Sequence, residues 1–288
     1  MSLDFATLHE KFVVEVTGPT GTLLAGRDGS AIKRALTTYS VIVIRGLELA
    51  PAEQVALTRL LGKPEVVTDM RNHHPESRDI LVVSNSGATP VVGNRCWHSD
   101  RSFLPEPTRY TMLRAEVVPP QGGDTLFADM AEAYAQSPAS WKETLSGAVG
   151  VHSYDKIARL RSEIHREPIE EGYEKTYPPV RHPAVRAHPE TGTPALYLSD
   201  LCLARIESEG GTSVRIPLDE LHAHATEDRF VYRHRWHVGD VVIWDNASVM
   251  HKADMQLWKL PRVLHRTTTA SPPPRPAPRY VPDGTPDH

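Results

Sequence analysis

Cysteine is scarce in this 288-residue chain: there are two, Cys96 and Cys202, far apart in sequence. A chain this long can bury a sizeable core without disulfide staples, so both are expected to be reduced, small apolar fillers of a cytoplasmic protein. Long apolar runs are missing, the longest being strand-sized stretches such as "VIVI" at 41–44, too short to span a bilayer. The opening "MSLDFATLHEKF" lacks a cationic stretch followed by an apolar one, the pattern of an export signal. Nor does one sign of charge dominate, since 32 Lys and Arg face 36 Asp and Glu for a formal net charge of -4, with the cations scattered. That leaves no basic face for nucleic acid or an acidic membrane surface, so an anionic partner has to be met locally. There is no internal repeat.

What is present is an ordinary globular composition, 40% hydrophobic. "YSVIVIRGLEL" is a β-branched apolar run closed by Gly46 and reads as a buried strand. "PAEQVALTRLLGK" reads as a helix with Pro51 in its first turn, Ala52, Val55, Ala56 and Leu60 on one stripe, and Gly62 as its stop. "RDILVVSNSG", "RYTMLRAEVV", "PALYLS", "HVGDVVIWDN" and "RVLHRTTTA" carry strand signals, and "PPQGGDT" at 119–125 marks a tight connection. Asp129 with Glu132 is a capping pattern, and Ser137-Pro138 opens a helix that sets Trp141 and Leu145 on one face before Gly147. Residues 151–180 are polar and weakly periodic and read as an insertion over the scaffold, either of the kind that selects substrates or a solvated surface excursion. Residues 273–288 form a proline-rich tail, expected to be extended or disordered. Strands towards both ends with helices between predict a mainly β fold, a double-stranded β-helix (jelly roll) over residues 1–272 carrying helical insertions.

His98 and Asp100 stand two apart in "CWHSDRSF", residues 96–103. Spacing alone is weak evidence for a metal. With 15 His and 36 acidic residues, about two such pairs arise by chance, and His74 with Glu76, His165 with Glu167 and His188 with Glu190 share the spacing. If 96–103 is extended, as Trp97 and Phe103 favour, both side chains point to one face. The other pairs sit in proline turns or in the charged insertion. An open site of imidazoles and one carboxylate needs a second histidine, and His251, at the end of the apolar strand after Gly239-Asp240, is the most informative candidate. On ligand type alone, a zinc hydrolase or a non-catalytic jelly-roll binding protein also fits.

Taken in order, "WHSDRSF", "GGDTLFADM", "YRHRWHVGDVVIWDNASVMH" and "PRVLHRTTT" resemble the iron(II)- and 2-oxoglutarate-dependent dioxygenases of the taurine dioxygenase and 2,4-dichlorophenoxyacetate dioxygenase family. "LHEKFVVEVTG" and the run from Tyr39 to Glu65 extend the resemblance nearly end to end, leaving out 151–180 and the tail. The resemblance implies Fe(II), O2 and 2-oxoglutarate as co-substrate, with His98, Asp100 and His251 as iron ligands. It also implies that Thr125 and Arg262 contact the tail carboxylate of 2-oxoglutarate and that Arg266 binds the anionic group of the primary substrate. Asn94 matches a position where the family often has a substrate-side polar residue.

These residue types suit those tasks. Two neutral imidazoles and a carboxylate leave three coordination positions free, and a guanidinium grips a carboxylate with two parallel hydrogen bonds. Arg262 and Arg266, four apart, share one face of a strand. A hydrolase has no use for a distal anion clamp. "PEVVTDMRNHH" lacks the histidine and tyrosine spacing of taurine enzymes, which points away from taurine itself. The expected reaction is hydroxylation of a C–H bond in a small organic anion, an aryloxyalkanoate, alkylsulfonate or similar, with release of succinate and CO2. Desaturation and cyclisation begin with the same hydrogen abstraction. The expected partners are small molecules, neither nucleic acid nor membrane, and a homo-oligomer stays open.

Overall fold

The computed structural model describes residues 3–9, 12–18, 29–68, 72–85, 95–254 and 260–282. The chain runs through β1 (Asp4–His9), β2 (Val13–Thr17), α1 (Gly29–Tyr39), β3 (Val41–Ile44), α2 (Pro51–Leu61), β4 (His73–His74), β5 (Ser77–Ser84), β6 (Thr108–Val117) and β7 (Thr125–Asp129). Then come α3 (Met130–Ala135), α4 (Ala139–Leu145), β8 (Val149–His152), α5 (Asp155–His165), α6 (Tyr173–Thr176), β9 (Val180–Pro183), β10 (Val185–Ala187), β11 (Pro194–Leu196) and β12 (Leu203–Glu207). It closes with α7 (Leu218–Ala225), β13 (Val231–His234), β14 (Val241–Asp245), β15 (Val249–Ala253), β16 (Val263–Ala270) and β17 (Arg275–Pro276).

Eight strands form the main sheet in the order β1-β2-β3-β14-β6-β16-β5-β4, and β13-β7-β15 form a second, smaller one. Within the main sheet β2 and β3 run parallel, while β3, β14, β6, β16 and β5 pair antiparallel. Period-2 alternation sorts their side chains into layers. Val41, Val43, Val242, Trp244, Leu113 and Leu264 pack inward with Phe127 of β7 and Val249 of β15, and the Phe127 and Trp244 rings meet edge-on at 5.3 Å. Ile42, Ile44, Val241, Ile243 and Met112 turn the other way, under α1 and α2 through Ile32, Leu36, Leu57 and Leu61. Leu126, Ala128 and Met250, on the outer face of the small sheet, are covered by α3, α7 and β11. Two facing sheets with helices outside are the jelly-roll core expected from the sequence.

The α2 helix has the expected span, but its buried face is not the apolar stripe. Ala52 and Ala56 are exposed and Leu60 is half-buried, while Gln54, Leu57, Thr58 and Leu61 are buried with Val55. The reason is that α2 lies on β16 and meets it through polar bonds. Gln54 Nε2 donates to the His265 carbonyl at 3.0 Å, and the Thr58 and Thr267 hydroxyls lie 2.6 Å apart. The first turn is closed by the Glu53 carboxylate, which accepts the Ala50 amide at 2.7 Å.

Residues 151–180 contain α5 and α6, bracketed by β8 and β9, which pair with each other. The insertion is pinned by aromatic contacts: the Tyr154 and Tyr177 rings lie tilted against each other 4.5 Å apart, and both meet Phe103 in T-shaped contacts. The proline-rich tail is extended and docked as far as it is described. Arg275 and Pro276 pair with β10, the Ala277 amide donates to the Val185 carbonyl, and the Tyr280 amide donates to Ser146 Oγ at 3.1 Å. Both cysteines are free thiols, Cys202 buried and Cys96 half-buried. Among the described residues no helix is long and apolar enough to cross a membrane.

Candidate active site

The alternation that builds the two sheets also builds a pocket between them. On β15, Val249 faces the main sheet, so His251 two residues on faces the same way. Phe127 likewise brings Thr125, and Leu264 brings Arg266. His251 is therefore in the body of a strand rather than at its end. One pocket takes its polar lining from His98, Asp100, Thr125, His251, Arg262 and Arg266, and apolar walls from Val83, Leu113 and Trp244.

The segment carrying His98 and Asp100 is extended only at the histidine. His98 forms an isolated bridge to His251 by two amide bonds of 3.0 and 2.9 Å, and Asp100 then opens a turn in which Arg101 has φ 53 and the Leu104 amide bonds the Arg101 carbonyl. The strand stops because the Asp100 amide is spent on a side chain, Asn246 Oδ1, at 3.0 Å. His98 Nε2 lies 3.8 Å from Asp100 Oδ1, and His251 Nε2 lies 3.8 Å from Asp100 Oδ2. The three donor groups sit within 4.8 Å of one another, all buried.

Each donor is in the form a metal needs. His98 Nδ1 is 2.7 Å from the Cys96 carbonyl, which can only accept, so Nδ1 holds the proton and Nε2 turns its lone pair to the cluster. Burial pushes the pKa of both imidazoles down and keeps them neutral, most strongly at His251, where the neighbouring His98 adds to the effect. Burial alone would raise the Asp100 carboxyl, but Arg266, His251, His98 and the Thr111 hydroxyl outweigh it and hold the group well below the usual carboxylate range. His251 is fixed by aromatic rings, with Trp244 at 4.6 Å and Phe127 stacked at 6.2 Å.

The other side of the pocket is cationic. Arg262, 5% exposed, donates through Nε to the Gly123 carbonyl at 2.8 Å and through Nη2 to Thr125 Oγ1 at 3.3 Å. Trp236 Nε1 also donates to that oxygen, at 3.0 Å, so the Thr125 proton is free to point elsewhere. Burial lowers the Arg262 pKa to about 10, which leaves it charged at neutral pH. Arg266 Nη2 sits 2.9 Å from Asp100 Oδ1. Arg262 immediately precedes β16 and Arg266 lies within it, and both line the pocket. Asn94 lies outside the described residues.

Reading single residues missed those that act behind the pocket, among them Asn246, Thr111 and Trp236. Asn246 follows directly on the apolar strand in "VVIWDN", and an amide breaking such a run at a buried turn was the available signal. The rival pair His188 and Glu190 does meet a second acid, Asp245. Arg109 stands among them, however, its Nη2 2.6 Å from Asp245 Oδ2, 3.2 Å from His188 Nε2 and paired with Glu190. A guanidinium already balances that cluster.

Residues 4–268 match the family described as taurine catabolism dioxygenase TauD, TfdA family. The chain is 38% identical over 253 residues to an alpha-ketoglutarate-dependent 2,4-dichlorophenoxyacetate dioxygenase of Cupriavidus pinatubonensis, covering 83% of this chain and 87% of that protein. It is 30% identical over 275 residues to the (S)-phenoxypropionate/alpha-ketoglutarate-dioxygenase of Delftia acidovorans, covering 88% and 91% respectively. The crystal structure of AAD-2 in complex with Mn(II) and N-oxalylglycine superimposes with a TM-score of 0.79 at 30% identity, over 95% of this chain and 99% of that one. Fold and relatives together define a 2-oxoglutarate-dependent dioxygenase, an oxidoreductase. Within that class the chain belongs to the TauD/TfdA family.

Proposed function

We propose that this enzyme hydroxylates a C–H bond of a small organic anion, with His98, Asp100 and His251 holding Fe(II), Thr125 and Arg262 the far carboxylate of 2-oxoglutarate, and Arg266 the anion of the primary substrate. The observation that carries this reading is the convergence of all six side chains on one pocket. Two neutral imidazoles and one ionised carboxylate fit iron, leaving positions for a chelating keto acid and O2. Iron held there would supply the oxidising power that couples decarboxylation of 2-oxoglutarate, to succinate and CO2, with transfer of oxygen to the C–H bond.

The protein's own share is placement and exclusion. Arg262 offers a buried, charged guanidinium beside the Thr125 hydroxyl, a clamp for the carboxylate remote from the metal. Arg266 stands next to a metal ligand, so the carbon adjacent to an anion on Arg266 comes close to the metal. Val83, Leu113 and Trp244 provide an apolar wall. The relatives named for 2,4-dichlorophenoxyacetate and (S)-phenoxypropionate act on aryl ethers of short carboxylic acids, and such a wall suits the ring, so an aryloxyalkanoate is the favoured substrate class. Hydroxylation of the carbon bearing the ether oxygen gives a hemiacetal-type product that splits into a phenol and an oxo acid. Residues 1–272 are read as one catalytic domain acting in the cytoplasm, with 151–180 bordering substrate selection.

The test is substrate-dependent succinate release by the purified chain with Fe(II), 2-oxoglutarate and O2, across aryloxyalkanoates, alkylsulfonates and alkyl sulfates. Release with an aryloxyalkanoate, abolished in Asp100→Ala, is expected. Succinate formation by Asp100→Ala at the wild-type rate would overturn the ligand assignment.

A further inference from the structure

Asp100 is gripped at its main chain by the Asn246 amide and at its carboxylate by the Thr111 hydroxyl, to which the same amide donates. Asn246 Oδ1 accepts the Asp100 backbone N–H at 3.0 Å and the Trp244 indole N–H at 3.3 Å. Both partners can only donate, which fixes which end of the amide is oxygen. The other end, Nδ2, therefore donates to Thr111 Oγ1 at 3.0 Å. With that lone pair taken, the Thr111 hydroxyl turns its proton to Asp100 Oδ2 at 2.6 Å. The relay runs from amide to hydroxyl to carboxylate with every proton assigned.

The amide is itself held rigidly. The Asn246 backbone N–H donates to the Arg109 carbonyl at 2.8 Å, and its own carbonyl accepts from Ser99 Oγ at 3.0 Å and from Arg186. One residue back, Asp245 Oδ1 accepts the Ala247 amide at 2.7 Å, while Oδ2 takes Arg109 at 2.6 Å and His188 at 3.0 Å. The β14–β15 turn is thus braced by a buried ion pair, and it presents a buried Asn246 to the turn that carries Asp100.

We propose that Asn246 is a positioning residue that aims the Asp100 carboxylate, using Oδ1 to set the backbone and Nδ2, through Thr111, to set the oxygen. Aspartate would not serve, because a second carboxylate would compete for the single Thr111 proton and place like charge behind the first. A purely packing role would tolerate any side chain of similar size. A positioning role demands one donor and one acceptor on one planar group. The inference rests on reading His98, Asp100 and His251 as metal ligands.

The experiment is titration of the metal-free, full-length protein with Co(II), read by its visible absorption, for wild type, N246A, N246D, T111V, T111S and D100A, with thermal melting of each metal-free form. Residues of this kind behind a metal ligand typically contribute about 10- to 100-fold in affinity. N246A, N246D and T111V are expected to weaken Co(II) binding by about that factor and to alter the band shape, with T111S restoring both. The double variant N246A/T111V should weaken binding no more than the stronger single change, since both break one relay. Affinity and spectrum within twofold of wild type in N246A, with D100A losing binding, would overturn the proposal and leave the metal site standing. Unchanged binding in D100A would instead remove the metal-site reading beneath it. If N246A does not fold, T111V, nearly isosteric, carries the test with the same expected loss, and an unchanged affinity there overturns the relay.

Discussion

Arg262 and Arg266 are four residues apart, yet they are committed to different neighbours, Thr125 with Gly123 in one case and Asp100 in the other. Arg262→Lys is expected to raise the KM for 2-oxoglutarate by about tenfold or more with little effect on that of the primary substrate, because an ammonium lacks the planar fork. Arg266→Lys should do the reverse, and succinate release with each substrate varied in turn separates them. Gly123 adopts φ +74, and a Cβ there would come within 3.1 Å of both Arg262 Cδ and Pro119 Cγ. Gly123→Ala should therefore raise the 2-oxoglutarate KM several-fold; an unchanged value would show that the glycine does not make room for the clamp. At this scale the identities of the pocket residues were legible through motif order and spacing. Their supports were not, because Asn246 and Trp236 act on Asp100 and Thr125, 146 and 111 positions away, and Thr111 is itself held by Asn246, 135 positions away.

The α2–β16 contact shows why elements were easier to read than their faces. Pro51 and Gly62 mark the helix ends by local chemistry, and the chain obeys them. Which face is buried depends on what lies beneath, and β16 offers a carbonyl and a threonine hydroxyl, drawing Gln54 and Thr58 inward in place of Ala52 and Ala56. Thr58→Val removes bonds to the Gln54 carbonyl at 2.9 Å and to Thr267 at 2.6 Å, and should destabilise the protein by about 1–3 kcal/mol. The urea midpoint measures it, and a loss near zero would mean the hydroxyls contribute nothing net. The strand carrying Arg266 is thus seated by polar groups that hydrophobic periodicity ignores.

For the molecule as a whole, acid stability follows from histidines held neutral inside it. His152 is wholly buried between His182 and Tyr197, its ring nitrogens without a hydrogen-bond partner among the described residues. Burial, with His182 and Arg186 nearby, pushes its pKa down to about 3. The unfolded chain takes up that proton near pH 6.5, so between about pH 6.5 and 3 the unfolded state binds more protons and stability falls as pH falls, by at most about 1.4 kcal/mol per unit for this group. His152→Phe should flatten the slope, read as the difference in urea midpoint between pH 7.5 and pH 5; an undiminished difference would assign the acid sensitivity elsewhere. The sequence by itself determined the class of fold, the strands β3, β5, β6, β11, β14 and β16, and, through the family resemblance, the residues that converge on the pocket, because alternation, turn chemistry and motif order are local. Only the tertiary structure decided that "WHSDRSF" is a bridge and a turn, that the proline-rich tail docks on β10, and that one asparagine spans the Asp100 backbone and Thr111. Those outcomes depend on which groups from remote strands claim each hydrogen bond, a choice made when the two sheets close.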